Sequence, residues 1–272
     1  MLDTERPLDP KDEKRLKTRG VGSGKDYEPF IKVHEISSTG ESYRIFGRNS
    51  ARSHHLLSRL ELSAFLVFDR YQLTTDIKEQ FPLPIADSLS ICKRLGIKHP
   101  QMYGKLKVVT TDLVVEFANR SGLAIAVKYT DNLDDPRAVE KLQIEKVFWE
   151  QQGYEWKLFT EYQITPAIKE NLEWLHAAHR NSNSLYTELS DHDIQLVVER
   201  LSGLNKRLST ACSTLDDEYS CEPGFHMGVV RKSIAANLID VPLDKAFRQW
   251  LCSDIALVQS FDSIDRGVFG VS

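Results

Sequence analysis

The chain has 272 residues, 41% of them hydrophobic and 27% charged, with a formal net charge of −4. This is globular composition, long enough for one large domain or two modest ones. There is no run near the ~20 apolar residues of a membrane span, and the charged N-terminus lacks the apolar stretch of a secretory signal. The cysteines Cys92, Cys212, Cys221 and Cys252 form no CxxC pair, so a reducing, cytoplasmic setting is expected. The charge is uneven: +3 over residues 1–60, −2 over 61–165 and −5 over 166–272. Long-range attraction to phosphate therefore belongs to the first segment.

Residues 1–25, with Pro7, Pro10 and Gly20, Gly22 and Gly24, read as a flexible leader. Strands are expected over 30–36 and 42–46, with a turn at 37–40 between them, and then a helix over 51–68. Pro82 and Pro84 interrupt the chain, and a short helix over 87–95 ends at Gly96. Residues 108–117 and 123–129 are the clearest strands. Asp135 and Pro136 cap and open a helix that ends near Gly153, and a strand over 155–162 follows. Thr165-Pro166 is a second cap-and-proline start, which places a domain boundary there. The first domain, 26–165, is α/β. The second, 166–272, reads as helices near 166–180, 190–208 and 225–238 with a short hairpin, a small winged-helix-like module.

The two clear strands carry the first chemistry. With a period of two, Asp112 and Glu116 share a face with Ala124, Ala126 and Lys128. If the connection closes a hairpin whose paired residue numbers sum to 240, Asp112 stands opposite Lys128, about 5 Å away. A cross-strand ion pair accounts for that pair equally well. Glu116 lies about 13 Å along the strand and reads as a surface residue. On the expected helix, Glu61 falls within the arc of Leu56, Leu60 and Ala64. A carboxylate there is costly without a cation, unless it sits at the edge of the arc and reaches water. Arg48 before the helix, and Arg52, His55 and Arg59 off its apolar arc, are placed either to meet phosphate or simply to form a solvated helix face; the three arginines are the candidate DNA-binding residues. A helix glutamate, a strand aspartate and a lysine on the next strand suit metal-assisted phosphodiester hydrolysis. The carboxylates hold Mg²⁺ and the lysine stabilises charge on the phosphate.

The segments Arg52-Ser53-His54-His55-Leu56-Leu57-Ser58-Arg59-Leu60-Glu61, Asp76-Ile77-Lys78-Glu79-Gln80-Phe81-Pro82-Leu83, Gly96-Ile97-Lys98-His99-Pro100 and Thr110-Thr111-Asp112, in that order, resemble the TnsA endonucleases of Tn-seven-like transposases. The resemblance spans roughly residues 25–165. It implies a restriction-endonuclease-like mixed sheet flanked by helices, a winged-helix-like second domain, and dependence on Mg²⁺, with Mn²⁺ substituting. It also implies cleavage of the 5′ strands at transposon ends beside a DDE transposase partner, TnsB, and a C-terminal part that engages the AAA+ regulator TnsC. Carried over residue by residue, Glu61, Asp112 and Lys128 match the family's catalytic positions; with Ala126 two residues before the lysine, metal ligation would rest on Glu61, Asp112, the carbonyl of Val127 and waters. Ala126 departs from the pattern: restriction-like enzymes commonly have an acid there, and TnsA a glutamine. An alanine supplies neither a ligand nor a hydrogen bond, which favours a rival reading as an inactive scaffold bridging DNA and protein. A free-standing nuclease of the same fold is a third reading, disfavoured by the family landmarks. Cys212, Cys221 and His226 fit no common zinc spacing, and Gly20–Gly24 lacks the context of a phosphate loop. Arg231 and Lys232 read as a solvated helix face, with DNA contact as the alternative.

Overall fold

A computed structural model describes residues 6–35, 41–180 and 190–258; the turn expected at 37–40 lies outside the described residues. The chain divides into two compact units, 1–162 and 163–272. The first contains α1 (Pro10–Leu16), β1 (Tyr43–Phe46), β2 (Ser53–Leu56), α2 (Arg59–Arg70), β3 (Thr74–Pro82), α3 (Ile85–Leu95), β4 (Gln101–Met102) and β5 (Lys105–Leu106). It continues with β6 (Thr110–Phe117), β7 (Gly122–Val127), α4 (Pro136–Gln151) and β8 (Glu155–Phe159).

The four longest of these strands after β2 form one mixed sheet in the order β3-β6-β7-β8. The first three run antiparallel and β8 lies parallel to β7. A parallel pair needs a crossover, which α4 supplies. Asp135 caps α4 by accepting from Arg137 N, with Pro136 at its first position. The middle strands are buried on both faces. Val114 and Ala124 pack with Ile91 of α3 and Ile144, Phe148 and Trp149 of α4, while α2 packs on β3, β6 and β7. The helix expected over 87–95 is α3, and it ends as expected at Gly96, whose φ of 69° takes the left-handed cap.

Three sequence expectations give way to tertiary contacts. Of the strand expected over 30–36, the described residues 30–35 form none: Val33–Glu35 is a single 3₁₀ turn, and Phe30 is buried. The helix expected from residue 51 begins only at Arg59. Ser58 accepts from Glu61 N and fixes the helix start, and the preceding residues pair with β1, Tyr43 opposite Leu56. Leu56 and Leu57 continued the helical arc by coincidence. Residues 6–25, read as a leader, are structured. The buried Asp12 on α1 accepts from Val108 N at 3.1 Å and pairs with Lys107 at 2.7 Å, fastening α1 to the approach to β6.

The second unit holds α5 (Pro166–Arg180), α6 (Asp191–Leu201), α7 (Leu208–Glu218), α8 (Phe225–Ala235), β9 (Ile239–Asp240) and β10 (Ala256–Leu257). Its core gathers Leu175, Val197, Leu201, Leu208, Leu215, Val230, Ile234 and Trp250. The helix expected over 190–208 ends at Leu201, and α7 was missed. Among its described residues the paired strands are β9 and β10, over two residues each, and Arg207 and Leu251 form an isolated bridge. Asp216 accepts from Gly224 N, His226 N and His226 Nδ1, so His226 is occupied in starting α8. Arg231 donates to the Trp174 carbonyl and lies over the Trp174 ring at 4.8 Å, an internal role rather than a solvated one. No helix among the described residues is long and apolar enough to cross a membrane.

Candidate active site

The β6–β7 register differs from the expected one by two residues: Leu113 pairs with Ile125 and Val114 with Ala124. A slip of one would have reversed the faces; a shift of two preserves them. Asp112 therefore does not face Lys128 across the ladder. Its Oδ2 accepts from Val127 N at 2.7 Å, and Lys128 reaches back to the same oxygen with Nζ at 2.9 Å. The same Nζ donates to the Val127 carbonyl at 2.9 Å. The ammonium thus occupies, as a cation, two of the oxygens expected to hold a metal. Burial opposes its charge, but Asp112, Glu145 and Glu61 outweigh burial and hold the Lys128 pKa above the ordinary lysine value.

Glu61 reaches the site from the first turn of α2. Ser58 and Glu61 form the S-x-x-E pattern of a capping box. Glu61 N donates to Ser58 Oγ, while the Glu61 carboxylate accepts from Leu57 N at 2.9 Å and Ser58 Oγ at 3.3 Å. Gln80 Nε2 adds a contact at 3.3 Å. The carboxylate is buried rather than at a wet edge. Burial first, and then the Asp112 charge, push its pKa up to about 8.

Sequence reasoning missed a third carboxylate, Glu145. It lies in the middle of α4, buried, with Oε2 lacking any hydrogen-bond partner. Burial and Asp112 raise its pKa to about 8, opposed by Lys128 and by a hydrogen bond with Thr111. Trp149 Nε1 donates to Thr111 Oγ1 at 2.7 Å, which fixes that hydroxyl. The available signal was a glutamate between Ile144 and Phe148 on the face of α4 that covers the sheet.

The arginines divide. Arg59 is exposed at the start of α2, with a loose contact to Glu41 at 3.6 Å. Arg48 is half-buried; burial lowers its pKa, against the neighbouring Asp69 charge. Arg52 is a correction: it is buried, forked onto Glu79 at 2.8 and 2.7 Å, and stacked 4.8 Å over the Tyr27 ring. His55 is buried too, accepting from Val33 N. Neither side chain is presented to phosphate, because β2 replaces the expected solvated helix face.

The donors of the site are oxygens of Glu61, Asp112 and the Val127 carbonyl, a hard set that suits Mg²⁺ or Mn²⁺. Among the described residues no three His, Cys, Asp or Glu side chains meet closely enough to hold an ion. Carbonyl and water ligands would have to complete the shell, which Mg²⁺ tolerates. Ala126 is fully buried and adds no donor.

A mixed sheet flanked by helices, with buried carboxylates and a lysine gathered at one end of its central strands, has the form of an α/β nuclease domain. The family of TnsA-like endonuclease N-terminal domains matches residues 72–161, and that of TnsA endonuclease C-terminal domains matches residues 163–243. The transposition protein TnsA of transposon Tn7 from Escherichia coli is 36% identical over 245 residues, covering 89% of this chain and 88% of that protein. The chain belongs to the TnsA family of DNA-transposition endonucleases.

Proposed function

We propose that this protein is the Mg²⁺-dependent endonuclease subunit of a cut-and-paste transposase, cleaving the 5′, non-transferred strands at transposon ends. The observation that supports this best is the bridging of Asp112 and the Val127 carbonyl by the Lys128 ammonium beside the buried Glu61. A site that buries three carboxyl groups around one ammonium, two of them with pKa values pushed up to about 8 by burial and by Asp112, is suited to a divalent cation that would ionise them. Glu61, Asp112 and the Val127 carbonyl would hold it, and the bound ion supplies charge neutralisation and a lowered pKa for water. Lys128, released from its present contacts, faces the phosphate and offsets its developing charge. Glu145, on α4, adds a further buried carboxyl whose charge, where ionised, favours the ammonium. Arg59, exposed at the start of α2, binds a neighbouring phosphate, and Arg48, set beside Asp69 at the other end of α2, is the second candidate.

The test is a nicking assay on end-labelled transposon-end duplex, with TnsB as the DDE partner cutting the 3′ strands. A metal-dependent nick on the 5′ strand is expected. Ala126 favours the second reading, a scaffold that bridges DNA and protein without cutting; intact binding with no nick at any Mg²⁺ or Mn²⁺ concentration would establish that instead. Independently of turnover, saturating Mg²⁺ should raise the melting temperature by roughly 2–8 °C. Glu61→Ala should abolish the shift; a shift of wild-type size in that variant would remove Glu61 from the ligand set.

The second unit, acidic and winged-helix-like in its sequence pattern, is assigned to the AAA+ regulator TnsC. A fragment of residues 163–272 should retain the regulator in a pull-down, and residues 1–162 should not. Equal retention by the N-terminal fragment would refute the assignment. The cell compartment consistent with these partners is the bacterial cytoplasm.

A further inference from the structure

The ribbon of β4 and β5 takes no part in the site described above. Its two strands pair Gln101 with Leu106 and Met102 with Lys105. Tyr103 and Gly104 turn the corner with φ of 51° and 75°. Positive φ at both central residues is the pattern of a type I′ turn, which normally takes Asn-Gly or Gly-Gly. A tyrosine in the first position carries a backbone cost. Burial of its ring does not offset that cost, because Tyr103 is 93% exposed and its neighbour Met102 49%.

The base of the ribbon, by contrast, is fixed. Leu106 is buried, its N–H donates to the Pro7 carbonyl, its carbonyl accepts from Asp9 N, and Lys107 N donates to the Pro100 carbonyl, each at 2.9 Å. The result is an aromatic tip on a rigid stem. Its surroundings are basic: residues 88–111 include Lys93, Arg94, Lys98, Lys105 and Lys107 and no Asp or Glu. Lys107 is neutralised by Asp12 and Asp9, and Lys105 also acts on Asp9. Lys93, Arg94 and Lys98 are exposed. Leu106 precedes Asp112 by six residues of nearly extended chain, at most about 20 Å.

We propose that the β4–β5 ribbon is a DNA-contacting finger, with Tyr103 entering a groove of the duplex held at the Asp112 site and the neighbouring lysines on its phosphates. A two-stranded ribbon fits a DNA groove, exposed apolar side chains act as wedges against base steps, and the lysines add a salt-dependent attraction. The inference rests on the reading of the protein as a transposon-end nuclease.

Tyr103→Gly separates a DNA contact from a structural role, because glycine favours the turn while removing the ring. Binding of the full chain to transposon-end duplex is measured by fluorescence anisotropy in EDTA, apart from cleavage. The variant should melt at or above the wild-type temperature yet bind roughly tenfold more weakly, and Tyr103→Phe should bind like wild type. Equal binding by Tyr103→Gly, or no duplex binding by wild type, overturns the proposal. Unchanged DNA binding with lost capture of the partner transposase also overturns it, assigning the tip to a protein. A wild type that nicks no DNA, while Tyr103→Gly still weakens duplex binding, refutes the nuclease reading and upholds the finger.

Discussion

Asp112→Asn is expected to lower 5′-strand nicking by on the order of 10³-fold or more, with the fold preserved. Asn is the informative replacement because the Asp112 carboxylate also accepts a buried backbone N–H, that of Val127. Asp112→Ala would leave that donor unsatisfied at a cost of about 1–3 kcal/mol, mixing a stability loss into the reading. The amide oxygen of Asn keeps the acceptor and removes the charge that holds Lys128 and that, in the proposed mechanism, would hold a metal. Cutting of the 3′ strands by the partner should continue, so products shift from excised element to joined, cointegrate-like DNA. Nicking by Asp112→Asn at the wild-type rate, with thermal melting unchanged, would show that the Asp112 site is not where the chemistry occurs.

Glu79→Gln is expected to destabilise the first unit by about 3–5 kcal/mol, the penalty for removing one partner of a buried charge pair. Glu79 is fully buried and accepts from Arg52 on both oxygens, from His55 N at 3.0 Å and from His54 Nδ1 at 2.8 Å. His54 Nε2 in turn lies 2.6 Å from Ser50 Oγ. Burial alone would raise the Glu79 pKa; His54 and Arg52 outweigh burial and bring it down to about 2. A depressed carboxylate stabilises the fold fully above its unfolded value, near 4.5, and that contribution is lost as pH falls from there towards 2. Urea unfolding of wild type should therefore weaken across that window, and Glu79→Gln should show a flatter dependence. Coincident pH profiles for the two proteins would mean that Glu79 does not carry the acid sensitivity. Because Gln80, the next residue, donates to Glu61, the variant should also nick more slowly at temperatures where it remains folded.

Several features were legible from local chemistry alone. The Asp135-Pro136 and Thr165-Pro166 starts mark α4 and α5, Gly96 ends α3, and the period-two runs mark β6 and β7, because each depends on backbone preferences within a few residues. Asp112 and Lys128 could be placed on one face despite a register wrong by two, since an even shift leaves the pleat unchanged. The length of α2, the existence of β3 and the role of Arg52 were not legible. β3 buries Asp76, Glu79 and Gln80, so its sequence lacks the apolar alternation of a buried strand. Those charges are satisfied by Gly24 N, 52 residues away, and by Arg52 and His54, 27 and 25 residues away. Glu145 was hidden for the same reason: its significance lies in Thr111, Asp112 and Lys128, which the sheet and α4 bring beneath it. The sequence by itself determined which residues carry charge and which faces strands and helices offer. Which buried charges are paired, and which are left to bind something else, was decided by the tertiary structure, because pairing depends on proximity between distant segments and burial makes an unpaired charge costly.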